Sequence, residues 1–205
     1  MRQHLFGFVV FVGILSTVLI GQTVYGDVAN GEPALEFTLP DISGAPHSLS
    51  DYKGSYVVLE WFNYDCPFVR KHYDSANMQK LQEEYTQKGV VWLSLNSSAP
   101  GKQGNYSAEE MGRLSSERGV HATAILLDPA GTVGKLYGAQ TTPHIFIIDP
   151  NGVLIYQGAI DDVPSTDIAD VAKAKNYVRS TLDAAMAGAQ IEVAVTKSYG
   201  CSVKY

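Results

Sequence analysis

The sequence predicts an α/β fold in which a mixed central sheet is covered by helices on both faces. Three observations predict it. Apolar strand-like runs alternate with helical stripes along the chain. Two of those runs, 144–148 and 153–156, are separated only by the turn Pro150-Asn151-Gly152, which joins them as a hairpin. A sheet built from helical crossovers plus one direct hairpin is mixed, not purely parallel. The chain has 205 residues, 45% of them apolar and 18% charged, the profile of one globular domain. With 15 Lys and Arg against 21 Asp and Glu, its formal charge of −6 excludes a nucleic-acid module, which needs concentrated cations to displace counterions. Two cysteines exclude a disulfide scaffold and a zinc ribbon.

The elements follow in order. Arg2 and His4 precede an apolar run over 5–20, and Val24 and Gly26 put small residues at the minus-three and minus-one positions of a cleavage site. This is the anatomy of a secretory signal peptide over 1–26. The alternative for the same residues is an uncleaved membrane anchor, because the run stretched to Tyr25 approaches the roughly 20 residues of a span. Either way the protein is exported, periplasmic or secreted, and membrane contact is expected only if the segment is retained. Residues 37–40 and 47–50 form a short extended pair, and 56–62 is an apolar strand. Pro67 suits a first helical position, and Val69, Tyr73, Met78, Leu81 and Tyr85 mark a helical stripe that Gly89 closes. Residues 90–95 form the next strand. Ser107-Ala108-Glu109-Glu110 is a capping box that opens a helix to about Arg118. A strand over 124–127, a short helix over 132–137, the hairpin, and a helix over 167–187 complete a domain of residues 27–187. Residues 188–205 are a C-terminal extension.

The chemistry concentrates where the first long strand meets its helix. Cys66 directly precedes the helix start, where unpaired N–H groups and the positive dipole end favour a thiolate. Arg70 and Lys71 add positive charge in the first turns, a setting that lowers a thiol pKa from ~8.5 into the range of roughly 3.5 to 7.5. The alternative for Cys66 is an inert core thiol.

The stretch 37–54, the strand ending before Cys66, and Thr142-Pro143-His144 ahead of a strand resemble the thioredoxin superfamily. The resemblance is to its redoxin branch, related to alkyl hydroperoxide reductase and thiol-specific antioxidant proteins, and covers about 32–187. It implies a thioredoxin-like three-layer fold, with Cys66 at the attacking position of the Cys-x-x-Cys motif. Pro143 then stands at the cis-proline that faces it, with Thr142 presenting its backbone to an incoming chain; a trans strand-entry proline is the alternative. Two departures stand out. Val69 replaces the second cysteine of the motif, so adjacent dithiol chemistry is lost. Asn63 replaces the Thr or Ser of the peroxiredoxin pattern three residues before the cysteine, and Leu59 its proline. Asn63 remains a candidate to orient a hydroxyl donor.

Cys66 therefore needs another partner, and Cys201 in the extension, next to the flexible Gly200, is the candidate resolving thiol. The alternative is an unpaired tail thiol; a bond with Cys66, if formed, is either catalytic or structural. Glu60 interrupts an apolar strand six residues before Cys66. The acid at that offset in thioredoxins relays protons, so Glu60 is assigned proton transfer, the alternative being a solvent-exposed strand edge. Thr142, Pro143, His144, Asn63 and Arg70 complete the expected substrate surface, while His72 reads as a solvated or capping side chain of the helix. The expected function is an exported thiol oxidoreductase acting on a protein disulfide or a small peroxide, re-reduced by an external thiol, without a cofactor. From a different class, the alternative is a copper or other metal-delivery protein using Cys66, Cys201 and His144 as soft ligands.

Overall fold

The structure is a computed structural model that describes Met1 and residues 28–205; the expected signal peptide lies outside the described residues apart from Met1. β1 (Thr38–Pro40) and β2 (Pro46–Ser48) form a small antiparallel arm with Thr38 opposite Ser48. Then follow β3 (Val57–Trp61), α1 (Pro67–Asp74), α2 (Asn77–Gln87), β4 (Val91–Asn96), α3 (Ala108–Glu117) and β5 (Ala124–Leu127). The chain continues with α4 (Thr132–Leu136), β6 (Thr141–Thr142), β7 (His144–Ile148), β8 (Leu154–Gly158), α5 (Tyr177–Met186) and β9 (Cys201–Ser202).

Five strands make the central sheet in the order β5-β4-β3-β7-β8. β3, β4 and β5 run parallel, and β7 is antiparallel to both β3 and β8, so the sheet is mixed as expected. β3 lies at its centre with all five residues buried, which is why it reads as an almost unbroken apolar run. Strand alternation sends Val58, Trp92, Ile145, Ile147 and Tyr156 to one face, under Val69 and Tyr73 of α1, Leu81 of α2, Met111 of α3 and Leu182 of α5. Leu59, Trp61, Leu95, Phe146 and Ile148 go to the other face, covered by Val133 of α4, Tyr137, the arm residues Phe37 and Leu39, and Val203 of the tail. Helices therefore lie on both faces, but the second is shared with the arm and the tail.

Both outer strands of the sheet are covered. Asp41 bridges to Leu126 and Ile42 N–H donates to Ile125 O at 3.1 Å, closing β5. On β8, Gln157 N–H donates to Ala194 O (3.1 Å) and Thr196 N–H to Gln157 O (3.0 Å), so the extension runs beside it as a further strand segment.

Three elements differ from the sequence reading. The single helix expected from Pro67 to Gly89 is two: α1 ends at Ser75, and Ala76 adopts a left-handed conformation (φ 56°) before α2. The expected helix over 167–187 is a 3-10 turn over Ile168–Asp170 and, separately, α5, capped by Asn176, whose side chain accepts from Arg179 N–H. At α3 the Ser107 side chain accepts from Glu110 N–H at 3.1 Å, but the reciprocal half of the box is missing: Glu110 turns to Arg113 at 3.8 Å.

Candidate active site

The strand-to-helix corner after β3 is built by backbone. Asn63 Oδ1 accepts from Asp65 N–H (2.9 Å), and Cys66 N–H donates to Asn63 O (2.9 Å). This tight turn brings Cys66 to the cap position of α1, with Pro67 in the first helical position where its missing N–H costs nothing. The Cys66 side chain is fully buried. Its thiol donates to the Thr142 carbonyl at 3.0 Å, and the Thr142–Pro143 peptide bond is cis. The Thr142 hydroxyl is buried without a hydrogen-bond partner.

The tail closes over this corner. β9 pairs antiparallel with β6, setting Cys201 directly opposite Thr142. Gly200 makes that approach feasible, since a Cβ there would meet Thr142 O at 2.1 Å. Both cysteines are free, Cys66 buried and Cys201 half-buried. Burial first, and then the neighbouring Cys66 thiol, push the Cys201 thiol up to about 11. Cys66, Cys201, Thr142 and Pro143 thus come together.

Other expected site residues stand differently. Asn63 is buried and holds the turn, its Oδ1 accepting from Asp65 N–H and its Nδ2 donating to Gln103 O at 3.2 Å. His144 is the first residue of β7, and alternation turns it with Phe146 toward the sheet face opposite Cys66, its ring 4.5 Å from that of Phe146. Burial lowers its pKa to about 4. Among the described residues no three His, Cys, Asp or Glu side chains come together to hold a metal ion, so His144 does not join the two thiols as a ligand set. Arg70 is exposed. Lys71 is not a free charge beside Cys66: it is buried and paired with Asp161 at 3.1 Å. His72, expected to be solvated, is fully buried.

Glu60 is fully buried, which overturns the exposed-edge alternative. Its carboxyl accepts from Tyr73 Oη (2.8 Å), Gln82 Nε2 (3.1 Å), Trp92 Nε1 (2.8 Å) and Ser94 Oγ (2.8 Å). Burial raises its pKa although all four donors pull the other way. No hydrogen bond links Glu60 to Cys66 among the described residues.

The cluster around Asp161 was not anticipated from sequence. A signal existed, because Val69, His72 and Tyr73 share one helix face at three- and four-residue spacing, which puts His72 on the buried stripe.

The family model described as AhpC/TSA matches residues 30–157. The thiol-disulfide oxidoreductase ResA of Geobacillus thermodenitrificans (strain NG80-2) is 29% identical over 146 residues, covering 68% of this chain and 78% of ResA. Among solved structures, a hypothetical protein from Sinorhizobium meliloti 1021 superposes with a TM-score of 0.73 at 26% identity, covering 88% of this chain and 96% of that one. The thioredoxin domain of a thiol-disulfide oxidoreductase from Bacteroides vulgatus superposes with a TM-score of 0.51 at 22% identity, over 72% of this chain and 97% of that one, a likeness that shows the thioredoxin fold.

Proposed function

The chain belongs to the AhpC/TSA family, and from that premise we propose that it is an exported thiol-disulfide oxidoreductase whose attacking sulfur is Cys66 and whose resolving sulfur is Cys201. The observation that carries this reading is that Cys201 pairs directly opposite Thr142, whose carbonyl accepts from the Cys66 thiol, with both thiols free. The Cys66 thiolate attacks one sulfur of a substrate disulfide, forming a mixed disulfide and releasing the other half as a thiolate. The Cys201 thiolate then attacks Cys66 Sγ and expels the bound half, leaving a Cys66–Cys201 bond. An external dithiol restores both thiols and is itself oxidised. With a peroxide the first step oxidises Cys66 to a sulfenic acid and releases the alcohol or water; Cys201 displaces hydroxide as water in the second. The disulfide reaction is favoured here, because the similar ResA is a thiol-disulfide oxidoreductase and Asn63 stands where the peroxiredoxin pattern has Thr or Ser.

Glu60 acts in the same reading as the buried acid that takes and returns protons. Two of its donors, the Tyr73 and Ser94 hydroxyls, can reverse their hydrogen bonds when the carboxyl is protonated. Export rests on the apolar run over 5–20, and the extension over 188–205 completes the site around the domain of residues 27–187.

Turnover by two single variants tests the reading. Cys66→Ser abolishes both insulin reduction and peroxide consumption. Cys201→Ser retains the first attack and accumulates a mixed disulfide or a sulfenic acid on Cys66, visible by intact mass. Unchanged turnover in Cys66→Ser overturns the reading.

A further inference from the structure

Behind the paired thiols lies a second buried polar cluster that takes no part in sulfur exchange. Lys71 Nζ, on α1, donates to Asp161 Oδ2 at 3.1 Å and to Val163 O at 2.7 Å, and the side chains of both charged partners are almost fully buried. Tyr199, two residues before Cys201, donates its hydroxyl to Asp161 Oδ1. That hydroxyl also lies 3.3 Å from His72 Nε2, and His72 Nδ1 lies 3.0 Å from Asn77 Nδ2. The donor directions close in one way: the Asn77 amide donates to Nδ1, the Nε2–H of a neutral imidazole donates to Tyr199 Oη, and Tyr199 donates to Asp161. The Tyr199 ring packs edge-on against Phe68, centroids 5.8 Å apart.

A buried ion pair is weak evidence for stability, since well-packed apolar residues serve as well or better. What this pair does is present a carboxylate to a residue of the tail. Downstream of the thiol the tail is held by Val203 N–H to Gln140 O (3.1 Å), Ala99 N–H to Lys204 O (2.7 Å) and Tyr205 Oη to Ala139 O (2.7 Å). Upstream, the hydroxyl of Tyr199 is, among the described residues, the only hydrogen-bonded tie between Thr196 and β9. Cys201 hangs between the two anchors.

We infer that Tyr199 is a positioning residue, latching the tail to α1 through Asp161 and thereby setting how firmly Cys201 is held against Cys66. The inference rests on the exchange reading above. The latch restrains Cys201 in the dithiol form at an entropic cost that the disulfide form would otherwise carry alone. Without it the dithiol tail gains freedom and the disulfide does not, so the equilibrium moves toward the dithiol.

The test uses the full chain equilibrated in glutathione buffers. Tyr199→Phe keeps the ring against Phe68 and leaves Lys71 paired with Asp161; Tyr85→Phe removes a comparable hydroxyl bond, to Asp183 Oδ1 at 2.8 Å, that joins α2 to α5 and not to the tail. The expected result is a roughly tenfold weaker Cys66–Cys201 bond in Tyr199→Phe, a potential about 30 mV less negative, with Tyr85→Phe at the wild-type value. Alkylation of the buried Cys66 in reduced protein quickens about tenfold in Tyr199→Phe alone, by the same loosening. If the wild type forms a Cys66–Cys201 bond and Tyr199→Phe matches it in both potential and alkylation rate, the latch is overturned and the exchange reading stands. If the wild type forms no such bond, both fall.

Discussion

A carboxyl group in the middle of a covered strand has to be either neutral or surrounded by donors, and Glu60 is surrounded by four. Its pKa is nevertheless raised, because burial outweighs them. For a group raised in the folded state, the stability it contributes is fully present below its unfolded value and is lost as the pH climbs through the folded one. The expected outcome for Glu60→Gln is a difference from the wild type in urea stability that moves in the variant's favour as the pH rises, by about 1.4 kcal/mol for each pH unit between the unfolded and folded values of Glu60. Parallel curves would refute it. The amide fits, since its oxygen can accept from Gln82, Trp92 and Ser94 while its NH2 donates to Tyr73. At this scale Cys66 and Pro143 were legible from their neighbours in the chain. Lys71 and His72 were not, because the carboxylate that makes their burial tolerable, Asp161, lies about ninety residues away and carries no local mark.

Apart from the last helix, expected from 167 and found from Tyr177, strand and helix positions were legible to within about two residues, since each follows from the period of the apolar pattern and its Gly or Pro punctuation. The break between α1 and α2 was not. The stripe Val69, Tyr73, Met78, Leu81 and Tyr85 carries on past Ala76, and alanine is the residue least suggestive of a helix end. Its left-handed backbone is one that glycine adopts freely and alanine does not. Ala76→Gly is therefore expected to stabilise the protein by about 1 kcal/mol, read as a higher urea midpoint; a lower midpoint would show that the Ala76 methyl matters more than the backbone. The two-residue strand β9 was invisible for the opposite reason: its pairing with β6 depends on where the whole tail travels, which no local period records.

For the molecule as a whole, acid is the expected weak point. Burial holds His72 and His144 neutral, each with its pKa lowered to about 4; at His72 the pull of Asp161 partly opposes it and Lys71 reinforces it. Groups depressed in the folded state contribute stability above the unfolded value near 6.5 and lose it as the pH falls through the folded one. In Glu60→Gln, where that carboxyl no longer titrates, urea midpoints should accordingly fall between pH 6.5 and 4, each histidine accounting for roughly 3 kcal/mol at the acid end; midpoints of that variant that hold constant from pH 7 to 4.5 would contradict this. The three-layer arrangement was legible because alternation and the hairpin leave few other topologies, whereas the sharing of one layer by the arm and the tail depended on contacts between distant parts of the chain. The covering of both outer strands has a consequence for crowding. With Asp41 and Ile42 against β5 and the 194–196 segment against β8, the described residues flank both outer strands at the places where a neighbouring molecule would pair to nucleate a fibre. Such growth would first require one of these flanking segments to peel away.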